Sequence, residues 1–234
     1  MRVRVRLWKL IAYPLCTILV AFSLYQLWFL AEVLYWRDHN AAMTRFMELR
    51  LEAMRDTDPR ARLQHRWVDY QRISFHLKRA IIAAEDAKFI DHEGFDWEGI
   101  QRAMERNQRR GHYVAGGSTI SQQLAKNLCL SGERSLLRKM QEAIITEELE
   151  AFLTKRRIFE IYLNVVEWAD GVFGAEAAAQ HYFGISASAL NPEQAARLAA
   201  MLPRPRYYDR HRDSPYLTQY AVTIRNRMEY VQVP

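Results

Sequence analysis

Cysteine is scarce in this chain, with two among 234 residues. Cys16 lies inside a long uncharged apolar run and Cys129 far beyond it, so a bridge between them is implausible. No disulfide framework and no Cys/His metal motif can be written on such a sequence, and the part after the apolar run must stand on its packing. Strand-like alternation is missing too, and nothing alternates convincingly with period two. A basic face is the third absence. Lys and Arg number 33 against 27 Asp and Glu, but Arg2, Arg4, Arg6 and Lys9 precede any acid. Setting those four aside leaves 29 basic residues against 27 acidic ones, a near balance that excludes a nucleic-acid binder. The length suits one domain with a real core.

The longest feature present is the run over residues 10–31, which holds no charge and no histidine. As a helix it spans about 33 Å, enough to cross the hydrocarbon of a bilayer. It is too long for a cleaved signal and is followed by no small-residue cleavage site. Pro14 sits near its start, and Trp28, Tyr35 and Trp36 gather at its far end, where aromatic side chains favour the interface. The reading is a single-pass anchor over 10–34 with a cytoplasmic basic tail over 1–9, and the positive-inside rule places the remainder on the outer face. A juxtamembrane helical segment over 35–66 and a domain over 67–234 complete the division.

Along that remainder, residues 37–55 read as helix, with Met43, Phe46, Met47, Leu51 and Met54 near one face. Asp56-Thr57-Asp58-Pro59 is a turn signal. Residues 64–73 are ambiguous between strand and irregular structure. Ser74 reads as the N-cap of a helix through Ala84, and 96–106 resumes helical spacing. Residues 107–115 are polar, basic and expected to be mobile. Helices are further expected over 136–153, 155–164 and 175–182. Asn191-Pro192-Glu193-Gln194 marks the start of another, stopped by Pro203 and Pro205.

Two stretches carry chemistry. In the first, Ile81-Ile82-Ala83-Ala84 runs into Glu85 and Asp86, followed by Asp91, His92, Glu93, Gly94 and Asp96. An apolar turn should hold Glu85 against the protein body, and a partly desolvated carboxylate becomes a usable base. The plain alternative is a solvated acidic helix end. In the second, two glycines precede Ser118 and Thr119. Thr119 with Gln122 forms a capping box, opening a helix whose free amides suit an anion. Gln122 with Lys126, and Gln123 with Asn127, are spaced to make a polar stripe, set against the reading of a simply capped surface helix. On the 136–153 helix, Arg138 and Lys139 are spaced to meet Glu142, either as ordinary surface pairs or as a cationic pair facing a polyanion.

These residues resemble the peptidoglycan glycosyltransferases of glycosyltransferase family 51, most closely their monofunctional, membrane-anchored branch. The resemblance rests on four ordered motifs: Glu85-Asp86 with Phe89, His92, Gly94 and Asp96; Gly117-Ser118-Thr119-Ile120 with Gln122-Gln123-Leu124 and Lys126-Asn127-Leu128; Arg138-Lys139 with Glu142; and Lys155, Arg157-Ile158, Glu160 and Tyr162-Leu163-Asn164, then Gly171, Gly174 and Tyr182-Phe183-Gly184. It covers about residues 67–207. Two positions depart from the pattern: Cys129 stands where an aromatic residue is usual, and Thr146 where alanine is common. The bifunctional members carry a further penicillin-binding domain, for which this chain has no room.

The resemblance implies a mainly α fold, a two-lobed lysozyme-like helical domain behind the anchor, on the outer face of a bacterial plasma membrane. It implies lipid II and the growing glycan strand as partners, with other cell-wall synthesis and division proteins as candidates. The reaction needs a base on the acceptor hydroxyl and neutralisation of a pyrophosphate leaving group. Glu85 would be the base and Glu142 a second catalytic carboxylate that orients Lys139 or helps hold a divalent cation, Mg or Mn, with no organic cofactor. Lys126, Arg138 and Lys139 would grip pyrophosphate. Asp86, Phe89, His92, Ser118, Thr119, Gln123 and Asn127 would line the substrate. A lysozyme-like hydrolase on the same architecture has no use for three cations at the site. An inactive scaffold has no reason to keep these residues together.

Overall fold

A computed structural model describes residues 2–112, 116–129 and 135–234, with side chains from residue 8 onward. The chain opens with α1 (Arg2–Asp38), 37 residues without a break at Pro14, or about 56 Å of helix. Its stretch Trp8–Asp38 is long and apolar enough to cross a membrane. Leu10, Ile18, Phe22 and Leu24 stand exposed along it. Its last third is different: Phe29, Val33 and Trp36 are buried in the core of the domain that follows. There Gln26 and Gln141 exchange two hydrogen bonds, each amide nitrogen donating to the other's oxygen at 2.9 Å.

The expected helix over 37–55 is two pieces. α1 ends at Asp38, and Thr44 caps α2 (Arg45–Arg55) by accepting from the amide of Met47. Arg157 explains the break. Its Nε donates to the Trp36 carbonyl at 2.9 Å and its Nη2 to the His39 carbonyl at 2.6 Å. The expected apolar face is narrower than the spacing suggested. Met47 is fully buried and Phe46 packs on the core, while Met43 is exposed.

The body is helical. α3 (Phe75–Glu85), capped by Ser74, and α11 (Pro215–Arg227) sandwich α9 (Pro192–Met201). The Asn191–Gln194 capping box forms, and alanines at 195, 196, 199 and 200 let the helices approach closely. A second cluster joins α5 (Ile120–Cys129), α6 (Leu136–Phe152) and α7 (Lys155–Val165), with α1 against α6. α4 (Trp97–Arg110) flanks the first motif, with Asp96 as its N-cap. It runs past residue 106 to a left-handed Gly111, so 107–110 are helix, while the rest of the segment expected to be mobile includes 113–115, which lie outside the described residues.

Three strands do occur: β1 (Gln64–His65), β2 (Glu167–Ala169) and β3 (Val172–Phe173), in the order β1-β3-β2, parallel then antiparallel. At two or three residues each they are too short to show a period. Gly174 follows at φ 84°, where a Cβ would meet the Asn164 carbonyl oxygen at 2.6 Å. α8 (Ala175–Phe183) packs on this sheet and on α7. A short helix, α10 (Pro205–Arg210), precedes α11.

Candidate active site

Glu85 is the last residue of α3, and the buried Ile81, Ile82 and Ala83 fix that last turn against the core. Burial pushes its carboxyl above the ordinary range. The strongest opposing influence is Gln123, whose Nε2 donates to Glu85 Oε2 at 2.7 Å. Neighbouring Asp86 raises it further and Lys126 lowers it. The Gln123 oxygen in turn accepts from the Tyr162 hydroxyl at 3.1 Å. Burial, and then the charges of Glu85 and Asp86, keep the Tyr162 phenol well above its usual pKa, so it stays a donor. The chain Tyr162 to Gln123 to Glu85 thus has a fixed direction. It presents an NH₂ to the carboxylate and holds that carboxylate still.

Asp86 takes a different part from its neighbour. The backbone leaves the helix there at φ −159°, ψ 75°, turning Asp86 into the protein. One oxygen accepts from the amide of Ile120 at 3.0 Å, at the amino end of α5. His92 Nε2 lies 3.0 and 3.1 Å from the two oxygens. A carboxylate on a helix amino end is favoured by the exposed amides and the dipole. Asp86 and His92 therefore brace the first motif on the second, both almost fully buried. Both were expected to line the substrate; here they face each other inside the protein, and the His92 Nδ1 is left without a hydrogen-bond partner. Phe89, expected to line the substrate, is buried as well. It is fully enclosed, its ring 5.6 Å from that of Phe159, with Lys155 Nζ over its face at 4.7 Å.

In the second motif the Thr119–Gln122 capping box forms in both directions, and the Thr119 hydroxyl donates to the Gly94 carbonyl at 2.6 Å. Thr119 is buried and fully committed, so it joins two turns and does not face a ligand. Gly117 packs against α4, where a Cβ would stand 3.0 Å from the Ile100 Cα. The expected polar stripe is not a stripe. Gln122 and Asn127 are buried, Gln123 is half-buried on Glu85, and Ser118 and Lys126 are exposed. Helical spacing cannot separate a residue spent on its own cap from one aimed at a neighbour.

On α6, Arg138 Nη1 donates to Glu142 Oε2 at 2.9 Å, and Lys139 Nζ pairs with Oε1. Glu142 is 4% exposed, Arg138 17% and Lys139 47%. A buried carboxylate thus aligns two cations of graded exposure. The Arg138 Nε is buried with no hydrogen-bond partner, a spare donor on the guanidinium. Both Glu142 oxygens are already held by cations. Among the described residues no group of three His, Cys, Asp or Glu is arranged to hold a metal. In this arrangement each Glu142 oxygen accepts from one cation, so the carboxylate orients Arg138 and Lys139.

Two residues important to this geometry drew no role from sequence spacing. Tyr162 sits in the fourth motif, but only the fold shows it reaching Gln123. Tyr220, from α11, donates to the carbonyl of Ala84 at 3.4 Å, beside Glu85. Lys155 ties the motifs together through the His92 carbonyl and Glu150, which also accepts from Ser121.

The chain matches the family model described as Transglycosylase over residues 52–229. It is 60% identical over 216 residues to the biosynthetic peptidoglycan transglycosylase of Methylobacillus flagellatus, covering 92% of this chain and 94% of that protein. It is 61% identical over 213 residues to the protein of the same name in Dechloromonas aromatica, covering 91% and 92%. A third, from Azoarcus sp., is 56% identical over 228 residues, covering 97% and 98%. With the four motifs folded around one half-buried carboxylate and a cationic helix, this chain belongs to the transglycosylase family.

Proposed function

We propose that this enzyme polymerises the glycan strand of peptidoglycan from lipid II, with its basic tail in the cytoplasm and its domain on the outer face of the plasma membrane. The observation that carries the reading is the half-buried Glu85, steadied by Gln123 and served by Lys126, in a fold that also aligns Arg138 and Lys139 on Glu142. In the proposed step the 4-hydroxyl oxygen of lipid II attacks the anomeric carbon of the lipid-linked donor strand. Its proton passes to Glu85. The bond from that carbon to the phosphate oxygen breaks, and undecaprenyl pyrophosphate leaves with the electron pair. Direct displacement inverts the α-linked donor to a β-1,4 product. The leaving group is already a stable anion, so it needs opposing charge more than a proton, and Lys126, Arg138 and Lys139 supply that charge. A divalent cation, Mg or Mn, would add to that charge, and the Glu142 oxygens keep lone pairs beyond those that Arg138 and Lys139 take. Ser118, exposed at the head of α5, is the polar residue open to sugar or phosphate oxygens, whereas Asn127 is as buried as Asp86.

The test is a polymerisation assay with labelled lipid II and detergent-solubilised protein, products resolved on a gel. A ladder of long glycan is expected from the natural chain and none from Glu85→Gln. Near-normal polymer from Glu85→Gln overturns the base assignment. Cleavage of preformed glycan without polymer overturns the polymerase reading in favour of a hydrolase.

A further inference from the structure

The aromatic residues of α10 and α11 are not used by the reaction above, and they begin where it takes place. Tyr220 reaches the Ala84 carbonyl next to Glu85. From it the rings continue outward. The Tyr216 ring lies 6.0 Å from that of Tyr220 with planes 25° apart, and Tyr208 lies 6.5 Å beyond Tyr216 at 11°. Tyr207 meets Tyr208 edge-on at 5.2 Å and stacks on His211 at 4.2 Å. Tyr208 is buried and anchors the row, whereas Tyr216 is 62% exposed and Tyr207 49%. Tyr207 and His211 also line a basin of about 410 Å³ whose other walls include Arg204, Arg206 and Arg210.

A core explains Tyr208 and the half-buried Tyr220, but not the exposed Tyr216 and Tyr207. Exposed aromatic rings set side by side, with hydroxyls at their edges and cations beyond, mark a binding surface more than a packing remnant. Sugar rings suit such a surface, because their C–H faces cover aromatic rings while their hydroxyls meet polar edges. The arginines suit an anionic substituent. The row is continuous with the reacting carboxylate, which a surface for an unrelated partner would not need to be.

We propose that the row Tyr220, Tyr216, Tyr208 and Tyr207 is a binding track for a glycan strand, and that the basin at its end receives a carboxylate carried on that strand. The proposal rests on the glycan-polymerase reading. It adds the place where saccharide units beyond the reacting pair are held. It also assigns α10 and α11 a part in how long the strand stays bound.

The test uses the full chain in detergent micelles and two readouts. One is the affinity for soluble peptidoglycan fragments of two and six sugars, and the other is the length of polymer made from lipid II. The variant is Tyr207→Ala with Tyr216→Ala, both at exposed positions, with Tyr230→Ala as the off-track control, since Tyr230 is 85% exposed on a separate segment. The double variant is expected to bind the six-sugar fragment at least fivefold more weakly, to lose less on the two-sugar fragment, and to make shorter strands. Tyr230→Ala is expected to change neither readout. Arg204→Ala with Arg210→Ala is expected to weaken only fragments whose carboxylates are free. Unchanged affinity and unchanged length in the tyrosine variant overturn the track. Binding of the same variant to vesicles of anionic lipid checks the membrane alternative, and a loss confined to that binding also overturns the track. Failure of the natural chain to polymerise would count against the polymerase reading, while the fragment affinities would still report on the track.

Discussion

Replacing Gln26 by leucine tests the connection between the apolar helix and the reaction. Gln26 lies inside the uncharged stretch, five residues before its end, so about 8 Å below the level where that stretch stops. Its partner Gln141 is buried on α6 between Lys139 and Glu142, so a polar lock joins the apolar helix to the helix that carries the cations. Gln26→Leu removes two 2.9 Å hydrogen bonds and strands the Gln141 amide. An unsatisfied buried polar group costs about 1–3 kcal/mol, and polar pairs between membrane helices measure nearer 0.6–2 kcal/mol. The expected loss is therefore about 1–2 kcal/mol, read as a lowered midpoint of denaturant unfolding in micelles. Gln26→Leu with Gln141→Leu together should recover most of it, because two leucines leave no amide unpaired. Activity should not recover in step, since the bonds that fix the rotation of α6 are gone. A single variant as stable as the natural chain would refute the reasoning. So would a double variant no better than the single one, or one whose activity returns with its stability.

The proposed base Glu85 can take a proton only when ionised, and burial raises its pKa, so the rate should fall with decreasing pH at values above the usual carboxylate range. Lys126 favours the ionised form, so Lys126→Ala should move that acid limb to higher pH in a pH–rate profile; a limb that stays or moves down contradicts the assignment. The raised pKa also means that folding favours the protonated carboxyl. Its contribution to stability is present below the unfolded-state pKa and is lost as pH rises through the folded one, and Glu85→Gln should unfold at a higher temperature than the natural chain at neutral pH. Gly94 sits at φ 84° with the Thr146 methyl 2.9 Å from where a Cβ would be. Gly94→Ala should cost about 2–3 kcal/mol from strain and overlap together. Adding Thr146→Ala should recover the overlap and leave about 1–2 kcal/mol of backbone strain, and full recovery of the melting temperature would show that strain is not the cause.

Much of this architecture was legible in the residues. Caps at Ser74, Thr119 and Asn191 fell where expected, because each needs only a short local pattern. The partition of roles within the motifs was not legible. Glu85 and Asp86 are adjacent and chemically alike; only the turn of the backbone at Asp86 sends one toward the Gln123 amide and the other to the foot of α5. Gln122 and Gln123 differ in the same way, one closing a cap and the other holding the base. Phe89 stands within a motif rich in polar groups yet serves packing. The break at residues 39–44 depended on Arg157, more than a hundred residues away. The segments after residue 203 offered prolines and no clear period, so the helices that bring Tyr220 to Glu85 had no local signature.

The unbroken α1 is also a strut. No hinge lies between the apolar stretch and the buried Phe29, Val33 and Trp36, so the domain cannot swing on a tether or rise toward more distant wall. The apolar stretch and the body of the domain therefore keep one orientation relative to each other. On the polymerase reading proposed above, a lipid-linked substrate finds such a fixed domain by a search in two dimensions, sliding within the leaflet. On the same reading, the polymer is fed outward from a stationary point, as thread leaves a spinneret.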